Sequence, residues 1–318
     1  MPPSEPTLAA LPNPLLRYFL ATRPAFLSVT LASCCIGLAT AYNSGVHLAP
    51  ALAFMTTLFA LFAHAGVNVL NDYYDALNGT DSINIQRIFP FTGGSRFIQN
   101  GVLTPAQTVV FGFTLFGFVV LAGLWLTIHS GVGLLAIGAT GLFIGWAYSA
   151  EPLKLNSRGL GEMCVAIGFV LIAIGTDYVQ RKAFSAQPFF ASLSYGLLVT
   201  NLLYINQFPD RQADAVAGKH HWVVRLPVNQ AVWGYFLIGV GAYFWLMFAV
   251  TMGWLPFVAL IAMLPLALTL KAGVVLRRNA GFPSHLVLAI KSTILAALAH
   301  GALLTLALLV AKKYQAGS

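Results

Sequence analysis

The chain has 318 residues, of which 58% are hydrophobic and 8% are charged, and its mean hydropathy is +0.79. This composition excludes the pair of soluble domains that length alone would predict, and it indicates an integral membrane protein. The net charge of +8 is explained by loops facing an anionic membrane surface, so nucleic acid is not an expected partner.

Runs of about 18 to 25 apolar residues, each long enough to cross a ~30 Å hydrocarbon layer, recur along the chain. They predict an all-α membrane protein with about nine transmembrane helices, at residues 26–44, 48–70, 107–127, 131–148, 161–180, 188–206, 230–251, 253–271 and 285–311. Residues 1–25 are predicted to be a retained N-terminal tail, because no basic segment precedes the first apolar run. Residues 26–311 are predicted to form one transmembrane domain, followed by a C-terminal tail at 312–318.

The lysine and arginine residues are divided unequally between the two sides of this topology. The side with the N-terminus and the loops after spans 2, 4, 6 and 8 carries twelve of the 17, the other side carries four, and Lys291 lies inside the last span. The positive-inside rule makes the richer side cytoplasmic. The sequence therefore predicts an inner-membrane protein surrounded by lipid.

Acidic residues are concentrated in the segments that follow spans 2 and 6. Of only 9 in the chain, five lie in NVLNDYYDALNGTD (68–81) and NQFPDRQADAVAGK (206–219). If both helices continue, each segment presents its Asn and Asp side chains on one face. The shared Asn-x-x-x-Asp pattern suggests a weak duplication of spans 1–4 in spans 5–9. Solvated loop acids are the alternative, which two matched clusters disfavour.

Carboxylate and amide oxygens favour Mg²⁺, which completes its shell with water and substrate phosphates. The predicted metal ligands are Asn68, Asp72, Asp75, Asp81, Asn206, Asp210 and Asp214. Basic side chains follow both clusters, as a diphosphate requires. Predicted diphosphate contacts are Arg87, Arg96, Lys154, Lys219 and Asn71.

Three motifs resemble those of the UbiA superfamily of intramembrane prenyltransferases. They are NDYYD (71–75), PDRQAD (209–214) followed by AGK, and YSAEPLKLNSRGLGE (148–162). The segments FTGGSRFIQNG (91–101) and NQFPDRQADAVAGKHHWVVRL (206–226) most resemble the 1,4-dihydroxy-2-naphthoate polyprenyltransferases of menaquinone synthesis. The resemblance implies nine helices around a central cavity, with an active site near the cytoplasmic face and an opening toward lipid.

The resemblance also implies Mg²⁺-dependent transfer of a polyprenyl group from a polyprenyl diphosphate to an aromatic acceptor, with loss of the carboxylate in the naphthoate branch. Asp72, Asp75, Asp210 and Asp214 are then expected to promote ionisation of the diphosphate. Tyr148 is expected to orient the acceptor or to shield the allylic cation with its ring; the alternative is an aromatic anchor at the membrane interface.

Two alternatives stay open at this point. Another aromatic acceptor, such as a hydroxybenzoate or homogentisate, fits the same motifs. A secondary transporter also has duplicated halves and intramembrane polar residues, but its site would lie near the bilayer midplane and not at the span ends. Glu162 is predicted to open span 5, where a carboxylate suits a helix N-terminus as well as a site.

Overall fold

The computed structural model describes residues 4–315, and this part of the chain is helical with no strands. The described residues form nine long helices, which we number α1 (Pro24–Asn43), α2 (Pro50–Leu77), α3 (Pro105–Ser130), α4 (Gly133–Ser149), α5 (Gly161–Arg181), α6 (Gln187–Val216), α7 (Val228–Thr251), α8 (Leu266–Asn279) and α9 (Val287–Gln315). Within the described chain, 8 helical segments are long and apolar enough to cross a membrane, and α4 is a shorter apolar helix. The predicted all-α membrane architecture is confirmed.

Several helices begin with local signals that the sequence displays. Pro24, Pro50 and Pro105 occupy the first turns of α1, α2 and α3, where a missing N–H leaves no helical carbonyl without a partner. At the start of α3, the backbone N–H of Gln107 donates to the Thr104 hydroxyl at 3.2 Å, and the Gln107 side chain accepts from the Thr104 N–H at 2.9 Å. This capping box satisfies two donors that the first helical turn leaves free.

Two helices extend well beyond their predicted apolar spans. Helix α2 was predicted to end at residue 70 and continues to Leu77, while α6 was predicted to end at 206 and continues to Val216. Hydropathy detects the part of a helix that lies in lipid, whereas these extensions are polar and are held by tertiary contacts. Asp72, Asp75, Asp210 and Asp214 consequently lie on helices and not in loops. Only Asp81 lies apart, on the short helix Thr80–Ile83.

The nine helices are arranged around two central helices, α1 and α6. Helix α1 packs on α2, α5, α6 and α9, while α6 packs on α1, α5, α7 and α9. Helices α2, α3 and α4 form a group that closes against α5. A large cavity lies among α1–α6, and within the described residues α7–α9 contribute nothing to its lining. They pack behind α1 and α6 and support them from the outside.

The two ends of the chain contain more helix than expected. Before α1, the helix Pro14–Ala21 packs its end, with Leu11, against the loop between α2 and α3. At the other end α9 runs to Gln315, and residues 316–318 of the predicted C-terminal tail lie outside the described chain.

Close packing of α1 on α5 predicts a stability defect at Gly37. A Cβ added there would lie 2.3 Å from the Ala173 carbonyl oxygen and 2.9 Å from the Thr176 Cβ. Gly37→Ala is expected to lower the free energy of unfolding by about 1–3 kcal/mol, since the two helices must separate. Gly117→Ala on α3 is the matched control, because nothing lies within 4 Å of its Cβ. Thermal unfolding in detergent micelles measures both, and equal midpoints would contradict the packing described.

Candidate active site

The cavity has a volume of about 660 Å³ and differs in character along its length. Most of it is lined by apolar side chains of α1–α5, including Phe26, Phe59 and Phe169. At one end, which we call the polar end, α2 and α6 project their polar extensions and the loop after α2 folds over them. Carboxylate chemistry and a long apolar space are therefore joined in one cavity.

The first acidic cluster lies on the extension of α2. Asp75 lines the cavity, as do Asn68 and Asn71, and the Asn71 amide donates to Asp75 at 3.2 Å. Asp72 is buried and lies outside the lining, where both of its oxygens accept from the Ser95 N–H at 3.2 and 3.3 Å. The cluster therefore includes one carboxylate that faces the cavity and one that holds the loop.

The loop between α2 and α3 fits onto these carboxylates through two glycines. Gly93 and Gly94 both adopt positive φ angles, of 76° and 72°. A Cβ on Gly94 would lie 2.4 Å from Asp81 Oδ2 and 3.1 Å from Asp72 Oδ1, so only glycine permits this approach. The Gly93 N–H donates to Asp210 Oδ2 at 3.3 Å. The loop thus connects the α2 cluster to α6.

The second acidic cluster lies on α6. Asn206, Asp210 and Asp214 all line the cavity, as their spacing of four residues predicts for one helix face. Asp210 also accepts a hydrogen bond from the Asn84 amide at 2.6 Å. Pro209 lies inside the helix and has no N–H, so the helical bond to the carbonyl four residues earlier is missing in this turn.

Lys219 joins the two clusters. Its Nζ lies 2.8 Å from Asp75 Oδ1 and 3.2 Å from Asp214 Oδ1, and its side chain is almost fully buried. Burial alone would lower the pKa of Lys219, but the carboxylates of Asp75 and Asp214 outweigh it and hold that pKa above its usual range. The His221 Nε2 lies 3.0 Å from the other oxygen of Asp214.

The polar end carries more negative than positive charge. Four carboxylates line the cavity, those of Asp75, Asp81, Asp210 and Asp214, whereas Arg23 and Lys219 are its only arginine or lysine within residues 4–315. Burial, together with the nearby carboxylates of Asp75 and Asp72, raises the pKa of the Asp81 carboxyl to about 8. Even with Asp81 protonated, the carboxylates of Asp75, Asp210 and Asp214 outnumber the two basic side chains, so the site favours the binding of cations.

Most of the predicted site residues meet at this end. The cavity is lined by nine of them: Asn68, Asn71, Asp75, Asp81, Tyr148, Asn206, Asp210, Asp214 and Lys219. The polar extensions of α2 and α6, which three other long helices separate in sequence, therefore line the same end of one cavity.

Three predicted diphosphate contacts are not among the lining residues. The Arg87 guanidinium pairs with Glu5 at 2.6 Å, and Arg96 donates to the Asp81 carbonyl and lies 3.7 Å from Glu5. Lys154 pairs with its neighbour Glu151 at 2.5 Å. The N-terminal segment, whose position the sequence does not predict, thus supplies the anion that Arg87 binds.

Other lining residues were not predicted from the sequence. Arg23, Asn84, Gln207 and His221 all belong to this group. Arg23 has a φ of 57° immediately before Pro24, and its guanidinium donates to the Phe91 carbonyl at 3.2 Å. The only sequence signal is proximity, since Asn84, Gln207 and His221 lie within seven residues of a predicted aspartate.

The donor set of the polar end fits a hard divalent cation. The Asn206 Oδ1 is buried and has no hydrogen-bond donor among residues 4–315, and the same is true of Asn84 Oδ1. Within that range, no three carboxylate, imidazole or thiol groups enclose a single cation position. A cation here would therefore take a few protein oxygens and complete its shell with water or phosphate, which is the usual behaviour of Mg²⁺.

Comparison with known proteins identifies the family. The model of the UbiA prenyltransferase family matches residues 30–293. The chain belongs to the UbiA prenyltransferase family. Among relatives, it is 30% identical to the 1,4-dihydroxy-2-naphthoate octaprenyltransferase of Escherichia coli over 64% of this chain and 66% of that protein, just under two thirds. It is 26% identical to the Bacillus subtilis protein of the same name over 91% of both chains.

A solved UbiA structure has the same fold as this chain. The structure of a UbiA homolog from Archaeoglobus fulgidus bound to GPP and Mg²⁺ superposes with a TM-score of 0.63, at 14% identity, over 91% of this chain and 99% of that one. The predicted UbiA-type bundle of about nine helices is confirmed.

The close approach of Gly94 to Asp72 and Asp81 predicts that the loop between α2 and α3 requires glycine at this position. Gly94→Ala is expected to push the loop off α2, so that the N–H groups of Gly93 and Ser95 lose their carboxylate partners. Hydrogen exchange of the peptide spanning 91–97 should then accelerate about tenfold or more.

Gly101→Ala is the matched control, because its φ is also positive, at 67°, and nothing lies within 4 Å of its Cβ. It adds the same left-handed strain, about 1 kcal/mol, without the collision. Unchanged exchange in Gly94→Ala, or equal acceleration in both variants, would contradict the fit.

Proposed function

We propose that the protein is an Mg²⁺-dependent prenyltransferase that transfers a polyprenyl group from a polyprenyl diphosphate to 1,4-dihydroxy-2-naphthoate, giving demethylmenaquinone with loss of the carboxylate. The observation that carries this proposal is the meeting of two carboxylate clusters around Lys219 at the end of a long apolar cavity. Membership of the UbiA family and the names of the Escherichia coli and Bacillus subtilis relatives support the naphthoate acceptor.

The polar end is assigned to the diphosphate. Asp75, Asp81, Asp210 and Asp214, with the amide oxygens of Asn68 and Asn206, would hold Mg²⁺ there. When bound, the metal neutralises the charge that grows on the diphosphate as the C–O bond breaks. Asp72 takes part indirectly, because it holds the Ser95 N–H and with it the loop over the site.

Lys219 is the cation best placed to donate to the leaving diphosphate. It is buried between the clusters, so its charge acts in a medium of low dielectric constant where it is poorly screened. Arg23 and Asn71 also line this end. Arg87 and Arg96 are assigned to the loop and not to the substrate, since neither lines the cavity and both are held by Glu5 and backbone oxygens.

The apolar part of the cavity is assigned to the prenyl tail. Its walls exclude water, so an allylic cation formed at the polar end meets the aromatic acceptor before it meets a water molecule. Tyr148 lines the wall near the start of α5, and its ring lies 3.5 Å from the Cβ position of Gly161. This position suits a side chain that orients an aromatic ring or shields a cation.

The polar end is proposed to face the cytoplasm. Arg158, Arg211 and Arg225 lie on loops or helix ends around it, whereas Arg181 and Lys182 lie at the far end of α5. The positive-inside rule then sets the orientation. The concentration of charge at one end, away from the midplane, also favours an enzyme over a secondary transporter.

Removal of one carboxylate from either cluster is expected to abolish transfer. Asp75→Asn and Asp210→Asn should each lower kcat by about 100-fold or more, because each removes a carboxylate assigned to hold the Mg²⁺ that would neutralise the departing diphosphate. Glu151→Gln is the control, an acid at the same end whose side chain is 72% exposed. The measurement is a membrane assay with 1,4-dihydroxy-2-naphthoate, a polyprenyl diphosphate and Mg²⁺, with mass spectrometry of the lipid extract.

Chelation by EDTA should stop the wild-type reaction and excess Mg²⁺ should restore it. Mg²⁺-dependent prenylation of a different acceptor would retain the site and overturn the naphthoate assignment. Folded protein that prenylates no aromatic acceptor, but moves a solute across proteoliposomes, would replace the enzyme with a transporter.

A further inference from the structure

Glu162 and Gln207 form a buried polar pair beside the polar end of the cavity. The Gln207 Nε2 donates to the Glu162 Oε1 at 3.1 Å, and the two side chains are 8% and 9% exposed. Gln207 lines the cavity, and Glu162 lies next to it at the start of α5. The pair belongs to neither of the two acidic clusters.

The carboxylate fixes which way the glutamine amide points. An ionised carboxylate only accepts hydrogen bonds, so Glu162 binds the amide nitrogen of Gln207 and repels its oxygen. Gln207 is therefore held with its Nε2 toward Glu162 and its Oε1 turned away. The group that Gln207 offers to a ligand is a hydrogen-bond acceptor.

That acceptor lacks a partner within the described part of the chain. The Gln207 Oε1 and the second Glu162 oxygen are both buried, and neither has a hydrogen-bond donor among residues 4–315. A buried acceptor without a donor is unfavourable, because it has lost its hydrogen bonds to water without gaining others. The ligand that relieves this cost at the cavity wall carries an O–H or N–H group.

We propose that the Glu162–Gln207 pair is the binding site for a hydroxyl group of the aromatic acceptor, and that it selects the hydroquinone form over the quinone. A hydroquinone donates its O–H to Gln207 Oε1, whereas the carbonyl oxygens of a quinone place a second acceptor against it. The inference rests on the proposed function and adds a selection by oxidation state to it.

The location of the pair suits this role. Gln207 precedes Asp210 by three residues on α6, so both side chains lie on neighbouring parts of one helix surface. A ring held at Gln207 is consequently next to the carboxylates assigned to the diphosphate, with Tyr148 on the same wall. Only the electron-rich hydroquinone attacks an allylic cation, so selecting it keeps an unreactive quinone out of the site.

The test compares two ligands of nearly equal size, 1,4-dihydroxy-2-naphthoate and its oxidised form, 1,4-naphthoquinone-2-carboxylate. Equilibrium dialysis of the purified full chain in detergent, under nitrogen and without a prenyl donor, measures both affinities. Dithionite is included only for the reduced ligand. Wild type is expected to bind the reduced form about tenfold more tightly, the ratio set by one buried hydrogen bond.

Gln207→Leu removes the acceptor at similar volume and should bring the two affinities to within about twofold. Glu162→Gln lets the Gln207 amide flip and present its nitrogen to the ligand. It should therefore also reduce the preference for the reduced ligand, while keeping a polar side chain of nearly the same size. Asn201→Leu is the matched control, a fully buried amide on α6 outside the cavity lining, and it should keep the wild-type ratio.

A wild-type preference that persists in Gln207→Leu would overturn the proposal, as would equal binding of both forms by wild type. If both variants bound the two ligands more weakly by the same factor, the Glu162–Gln207 pair would have only a structural role, and the proposal would be wrong. The proposed function fails separately, in the transfer assay with wild type, because dialysis needs no product. A protein that prenylates another hydroquinone should show the same dependence on Gln207 with that hydroquinone.

Discussion

The structure depends on hydrogen-bond donors and cations that compensate the negative charge buried at the end of a membrane-spanning bundle. Carboxylates in a medium of low dielectric constant repel one another and lose their hydration, so each needs a donor or a cation. The protein supplies these from three places. Lys219 comes from the segment after α6, backbone N–H groups come from the loop between α2 and α3, and side-chain amides come from neighbouring turns. Lys219 and Arg23 do not balance the lining carboxylates, and the remaining excess of negative charge is what makes the cavity suitable for a divalent cation.

The same constraint explains the layers outside the site. The loop can donate to Asp72 and Asp210 only if its backbone lies flat on α2, which requires glycine at position 94. The loop is in turn held from outside, because Arg87 and Arg96 contact its own carbonyls and the carboxylate of Glu5. The N-terminal segment, as described from residue 4 onward, is therefore part of the support of the site, although within that range it forms no hydrogen bond or ion pair with the carboxylates assigned to the diphosphate.

Some features of the structure could be predicted from the sequence and others could not. The membrane spans could be predicted because lipid imposes length and composition on a helix, and the two clusters because acid is so rare in this chain. The C-terminal ends of α2 and α6 could not be predicted, since the last turns of both helices are polar and depend on tertiary contacts. Arg87 was assigned to a diphosphate by proximity to Asp81, but its partner Glu5 is 82 residues away in sequence. For Gln207 the sequence offers only its proximity to Asp210, because its significance lies in pairing with Glu162, 45 residues earlier.

Helix α6 carries residues assigned to both substrates of the proposed reaction, the prenyl diphosphate and the aromatic acceptor. Its Asn206, Asp210 and Asp214 line the polar end, to which the leaving group is assigned, while Gln207, one position along, lies on the adjacent surface toward α5. A rotation of α6 by one residue would carry both sets about 100° around the helix axis, away from α2 and α5 together. Packing of α6 between α1, α5, α7 and α9 prevents that rotation. In the proposed reaction, the distance between the ionising carbon and the acceptor ring would thus be set by a buried helix and not by a loop, which suits a cationic intermediate that must be captured at once.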